Sequence, residues 1–256
     1  MVKATVEMPQ TSPTPSIDVQ PRDYGTQPKP ESGLVPSQRM RIAFILTLVG
    51  GYLDAYTYFE RGGVFANAQT GNIVKLGISL ANGASDKYLR YFIPICAFTL
   101  GLLASMIIKE VLERHQMRLV RRTVLAAEIV GLAIVGFIPL REDLDIVANC
   151  IVSFVAAMQY ETFTTFRGEA IVTTMSTGNL KKCVDALFAG IVQRDNEKIL
   201  RSVLFLAIIA TFTFGAYLGT HACNAMGRAA VIPAMLALGA TIGIITALRQ
   251  ANHRRA

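Results

Sequence analysis

A tripeptide that occurs twice constrains this chain more than any other feature. Thr70-Gly71-Asn72 recurs as Thr177-Gly178-Asn179, each copy inside an otherwise apolar segment. The offset, 177 − 70 = 107, holds without a gap over residues 54–80. Thr57 maps to Thr164, Phe59 to Phe166, Lys75 to Lys182 and Leu80 to Leu187, while Asp54 maps to another acid, Glu161. Seven identities in these 27 aligned positions exceed the roughly two that average residue usage gives. The chain reads as a duplicated membrane unit.

Composition supports that class. Hydrophobic residues make up 52% of the chain and charged ones 17%, against about 25% charged in an ordinary soluble domain. The apolar residues come in continuous runs of a length that crosses about 30 Å of hydrocarbon as helix. A barrel needs alternation instead. The expected fold is therefore all-α, a polytopic helical protein whose first partner is the lipid bilayer. A net charge of +7 belongs to the basic loops that orient such a protein, so nucleic acid is not expected as a partner. Cys96, Cys150, Cys183 and Cys223 lie in or at the ends of apolar segments, which reads as free thiols rather than a disulfide framework.

Residues 1–38 hold seven of the ten prolines and no apolar run, the pattern of a disordered cytoplasmic tail. Residues 39–250 form the expected membrane domain, with repeat one at 42–140 and repeat two at 146–248, and 251–256 a second cytoplasmic tail. Eight apolar segments can be marked, at 42–59, 63–81, 91–108, 123–140, 146–166, 171–192, 202–220 and 229–248. The second and sixth carry the repeated tripeptide and too many polar residues for simple lipid-facing helices.

Loop charges choose between eight crossings and six. With eight, the basic loop 109–122 faces outward, against the positive-inside rule. With six, and the two motif segments dipping in and returning, the basic loops and both termini are cytoplasmic. The acidic loop 141–145 is then outside. Each repeat contains three crossings, an odd number, so the second copy runs through the membrane in the opposite direction, an inverted repeat.

The residues that could carry chemistry lie mostly in the repeated unit. A carboxylate in a membrane is costly and usually faces a bundle interior or water. Asp54 and Glu161 thus read as a proton- or cation-coupled pair, or as anchors and structural salt bridges. Asn67, Gln69, Thr70, Gly71 and Asn72 in the first copy, and Thr177, Gly178 and Asn179 in the second, mark the start of a half-helix. Such a start presents free N–H groups and a positive dipole end to a polar solute. It is equally a structural cap that lets an interrupted helix exist at membrane depth. Lys75 and Lys182 could pair with the two acids or snorkel to the surface. Glu128 is a lone acid in the third crossing. The pairs Gly101/Ser105, Gly215/Gly219 and Gly239/Gly243 suit close helix packing. No metal-ligand spacing, phosphate-binding loop or nucleophile motif occurs, so neither a metal, a cofactor nor enzymatic activity is expected.

The stretches Gly50-Gly51-Tyr52-Leu53-Asp54-Ala55-Tyr56, Gly63-Val64-Phe65-Ala66-Asn67-Ala68-Gln69-Thr70-Gly71-Asn72 and Met175-Ser176-Thr177-Gly178-Asn179 resemble the YoaK family, bacterial membrane proteins built on a domain of unknown function. The resemblance covers roughly residues 40 to 250. It implies an integral inner-membrane protein of about six helices and supplies no substrate. Lys75 departs from the family, whose residue there is apolar, which argues against a general role for it.

The function expected from these residues is a small-solute transporter or permease with a polar site between inverted repeats, coupled to protons or cations. A channel lined by the two half-helices is its close variant. A membrane-embedded enzyme using Asp54 and Glu161, and a non-transporting membrane partner protein, are the alternatives.

Overall fold

The computed structural model describes residues 36–83, 88–112, 117–166, 169–171, 173–174 and 176–253. The long apolar runs form eight α-helices among these residues: α1 Pro36–Glu60, α2 Gln69–Ala81, α3 Tyr88–Val111, α4 Met117–Phe137, α5 Glu142–Thr162, α6 Thr177–Gln193, α7 Asn196–Met226 and α8 Val231–His253. The described residues also form a short 3₁₀ turn, Gly227–Ala230, and a two-residue antiparallel pair, Thr165–Phe166 with Glu169–Ala170. The fold is all-α in class. Residues 36–38, read as tail, belong to α1, and 251–253 belong to α8. The rest of the two tails lies outside the described residues.

Among the described residues four stretches are long and apolar enough to cross a membrane: Met40–Glu60, Tyr88–Val111, Glu142–Thr162 and Asn196–Ala247. The last covers α7 and α8, which turn into one another at Gly227, a left-handed backbone position with φ 53°. α4 is not among them; it carries Arg118, Arg121, Arg122 and Glu128. α2, with 13 residues, and α6, with 17, extend only about 20 and 26 Å, short of a 30 Å core. Large apolar side chains such as Phe137, Phe188, Leu200 and Leu236 are left exposed on the outer faces. Polar groups such as Arg61, Asn72, Glu128 and Asn149 are buried. That distribution suits a protein whose surroundings are lipid. The apolar core runs between α1, α4 and α8, through Leu46, Tyr56, Leu132 and Leu238.

The principal helix contacts come in mated pairs. α1 packs on α7, and α5 on α3; α2 packs on α3, and α6 on α7; α4 packs on α5, and α8 on α1. α4 against α8 is its own mate. Exchanging α1–α4 with α5–α8 therefore returns the same set of contacts.

Small residues make the closest of these approaches. A Cβ added at Gly215 of α7 would lie 2.1 Å from the Leu48 carbonyl oxygen of α1, and one at Gly101 of α3 would lie 2.2 Å from that of Phe154 of α5. Ser105 hydroxyl donates to Met158 O at 3.3 Å, where Gly219 faces Tyr52 O. Gly239 and Gly243 have nothing within 4 Å of a Cβ, so that pair makes no such approach.

These mated contacts fix a register that differs from the sequence offset. Phe154 corresponds to Leu48 and Met158 to Tyr52, a shift of 158 − 52 = 106 rather than 107. One residue turns a helix face by about 100°. In packing terms Asp54 thus corresponds to Tyr160, and Glu161 falls on another face.

The helix ends are tied by buried polar contacts. Arg61, fully buried, follows α1. Its guanidinium donates to the carbonyls of Val135 at 3.1 Å, Ile138 at 2.9 Å and Pro139 at 2.9 Å, at the end of α4. It also reaches Asp145 at 3.5 Å at the start of α5, and Asn149 Nδ2 donates back to Arg61 O at 2.7 Å. Arg90, near the start of α3, bonds Glu142 at the same end. At the other end, Lys109 of α3 pairs with Glu161 of α5 at 2.8 Å. α1 and α4 therefore finish where α3 and α5 begin.

Candidate functional site

The segment between α1 and α2 does not continue outward. It turns back along α1, so that Asn67 N–H donates to Asp54 Oδ1 at 2.6 Å and Asn67 Nδ2 donates to Gly50 O at 3.1 Å. Gly50 lies ten residues before the end of α1, about 15 Å of helix. α2 then starts at this depth, at Gln69. Residues 63–81 are therefore not one unbroken helix.

The second copy reaches the same place. A Cβ added at Gly50 would lie 2.9 Å from Thr173 O and 3.3 Å from Thr174 Cα. α6 starts three residues later, at Thr177. One glycine of α1 is thus touched by both interrupted segments.

Between them lies a cavity of ≈ 590 Å³. Asp54 lines it from α1, Thr70 from the first motif, and Thr174, Ser176, Thr177 and Gly178 from the second. The aromatic wall is Tyr58, Phe59, Phe65 and Phe212. Both motifs and the first acid, 107 and 16 residues from Thr70 in the chain, thus converge on one space.

Not every candidate residue faces it. Asn72 is fully buried and grips the loop: its Oδ1 accepts from Phe65 N–H at 2.9 Å, and its Nδ2 donates to Phe65 O at 2.7 Å and to Gln69 Oε1 at 3.0 Å. Gln69 Nε2 donates to Ala66 O at 2.9 Å. The motif asparagine and its glutamine are therefore the clamp that shapes the turn. Gly71 lets the Phe65 ring sit against the helix start, since a Cβ there would lie 2.9 Å from the ring. Asn179 is buried and does not line the cavity.

Caps at the helix starts differ from expectation. The N-cap residues are Ala68 and Ser176, and neither helix has a side-chain cap of its own. The first start receives the Asp54 carboxylate instead, delivered from α1 to the Asn67 N–H. Glu161 does nothing comparable, because Lys109 holds it at the end of α5. Lys75 pairs with neither acid; its ammonium donates to Gly63 O at 2.5 Å and lies 4.2 Å and 4.8 Å from the ring centroids of Tyr58 and Phe65. Lys182 lies 5.8 Å from the Phe205 ring centroid.

Glu128 is fully buried and faces Gln159, whose amide, oriented to satisfy both side chains, donates to it at 2.9 Å. Among the described residues no group of three His, Cys, Asp or Glu could hold a metal ion. Arg61 escaped sequence reasoning, although it touches three helix ends. Its signal was present: Arg61 and Asp145 fall on the same side of the membrane in the six-crossing arrangement.

A helical architecture with large apolar side chains on its outer faces, polar groups buried among the helices and, among the described residues, four stretches long and apolar enough to cross a bilayer is that of a helical membrane protein. A family model described as "Protein of unknown function (DUF1275)" matches residues 42–244, and the chain belongs to this family. The match agrees with a domain of unknown function, as the resemblance to YoaK proteins implied, and supplies no substrate. Comparison with curated proteins and with solved structures finds no match.

Proposed function

We propose that this protein is a multi-pass permease of the cell membrane, with a small solute bound in the cavity between two inverted three-helix repeats. The observation that carries the reading is that one cavity takes its polar lining from Asp54 and from both half-helix starts. The cavity wall is mostly apolar, so the few polar groups on it are placed there at a cost in lipid, and transporters place their solute sites between repeats. The mated contacts and the meeting of both segments at Gly50 support inverted repeats. α1, α3, α4, α5, α7 and α8 would make six crossings, α2 and α6 re-enter, and both termini are cytoplasmic.

The reading assigns the chain no catalytic step. An enzyme using Asp54 and Glu161 together needs both acids at one substrate, and Glu161 is paired with Lys109 instead. A channel would share the cavity but not saturate as a carrier does. Proton or cation coupling is proposed for Asp54, the carboxylate at the cavity.

A solute is first found by thermal stabilisation of the purified protein, then followed into proteoliposomes. Asp54→Asn keeps one oxygen acceptor for the Asn67 N–H. It is expected to leave the melting temperature within a few degrees while proton-driven uptake falls at least ten-fold. Undiminished uptake by an Asp54→Asn, Glu161→Gln double variant removes both acids from the mechanism.

A further inference from the structure

Glu128 sits in the middle of α4 with 1% of its surface exposed, and the side chain it faces, Gln159 of α5, is as fully enclosed. The amide nitrogen donates to the two carboxyl oxygens at 2.9 Å and 3.3 Å. α4 belongs to the first four helices and α5 to the second four, so this polar contact bridges the two halves of the molecule.

Among the described residues Glu128 makes no ion pair. The helices packed on α4 bring no cation to it. On α5, Glu161 is paired with Lys109 of α3, and Asp145 and Glu142, at the far end, with Arg61 and Arg90. Tyr160 turns toward Phe98 of α3. α8 has no titratable side chain from Val231 to Ala247, and the turn before it has only Arg228, which is exposed. On α4 itself Arg121 and Arg122 stand two turns earlier, about 10 Å along the axis, and the Arg121 guanidinium lies 5.5 Å from the Phe163 ring.

The packing does not call for an acid here. The mated contact, α8 on α1, is closed without one: at the shift of 106 Gln159 corresponds to Leu53, which is buried, and α8 contributes no carboxyl group. A carboxylate shut away from water with no cation beside it is costly. A proton removes the charge, and Gln159 serves the neutral acid from one place. Its N–H donates to the acid's carbonyl oxygen, and the amide turned over accepts the acid's O–H. An ionisable group enclosed in a membrane protein marks a functional site rather than a packing element.

Resting on the permease reading for its two moving repeats, we infer that Glu128 is a proton-binding site on the contact between them: its carboxyl carries a proton while α4 and α5 are packed together, shares it with Gln159, and exchanges it with water only when the two helices part. The site ties proton binding to the movement of the repeats. It is separate from Asp54, whose carboxylate accepts the Asn67 N–H beside the cavity.

Infrared spectra of the full-length protein purified in detergent test this with the proton alone as ligand. Near neutral pH the native protein is expected to show the carbonyl stretch of a protonated carboxylic acid, lost in Glu128→Gln and kept in Asp54→Asn. Glu128→Gln replaces a neutral acid by a neutral amide of the same shape and is expected to melt no lower than the native protein. In Gln159→Leu the band is expected to remain and to move to higher frequency, because the acid's carbonyl loses its donor. On transfer to heavy water the native band is expected to shift slowly, at the pace at which the helices part. A native spectrum without the band, or a band unchanged in Glu128→Gln, overturns the site. Should Glu128→Gln not fold, Gln159→Leu decides: a band that stays where it was overturns the assignment, and one that moves upholds it. A band that shifts within the mixing time overturns the enclosure and the tie to repeat movement. No solute enters these measurements, so the proton site can fail while the permease reading stands, and an uptake assay that finds no solute leaves the protonated acid in place.

Discussion

Arg61→Ala is expected to destabilise the protein by about 3–5 kcal/mol, the cost of removing one partner from a buried charged pair. Arg61 is fully buried and Asp145 nearly so. The substitution orphans the Asp145 carboxylate and removes the donors to the carbonyls of Val135, Ile138 and Pro139. Those carbonyls close α4, and away from water an unsatisfied carbonyl is costly. Equilibrium unfolding of detergent-purified protein measures the loss. Adding Asp145→Asn should recover part of it, because the orphaned charge is then gone. Arg61→Lys should fall between, since an ammonium keeps the charge but not the planar fork that reaches several carbonyls at once. A native-like stability for Arg61→Ala would mean that this lock does not hold the helix ends together.

The second large effect is expected where backbones touch. A Cβ at Gly51 would lie 2.0 Å from the Phe212 carbonyl oxygen. The obstacle is main chain rather than a mobile side-chain tip, so α1 and α7 must separate. Overpacking of a tight interface costs about 1–3 kcal/mol, occasionally more, and Gly51→Val is expected at the upper end. Gly77→Ala, with nothing within 4 Å of the added carbon, is the matched control. It should be neutral or slightly stabilising by helix propensity. The contrast between the two variants, read as melting temperature at equal expression, checks the α1–α7 contact on which the cavity wall depends.

Much of this architecture was legible in the chain. Continuous apolar runs placed every helix, with ends off by up to six residues, because run length decides whether a helix fits a bilayer while helix ends carry on into polar sequence. The polar load around Thr70 and Thr177 marked the two short helices, since a spanning helix cannot carry it. Their starts, at Gln69 and Thr177, fall at the motif. The rotation of α5 was not legible. A gapless alignment anchored on the motif carries Asp54 onto Glu161, but the packing offset is one residue shorter, and a one-residue slip inside the loop between helix and motif leaves no mark in sequence. That slip separates the two acids. Nor could Asn72 be told from a ligand-binding residue, because an amide that clamps Phe65 and an amide that binds a solute look alike until the loop is folded. Arg61 escaped notice for the same reason: its burial depends on carbonyls around the end of α4, 74 to 78 residues further along.

The proposed inverted arrangement of the two repeats would bring both motif segments to the shared cavity, and sidedness tests it most directly. In a cysteine-free background, Glu110→Cys reports on the end of α3 and Asp143→Cys on the start of α5, both exposed positions. With a membrane-impermeant maleimide on intact cells, Asp143→Cys is expected to label at once and Glu110→Cys only after the membrane is opened. Labelling of Glu110→Cys from outside intact cells would contradict six crossings, and with them the inverted repeats.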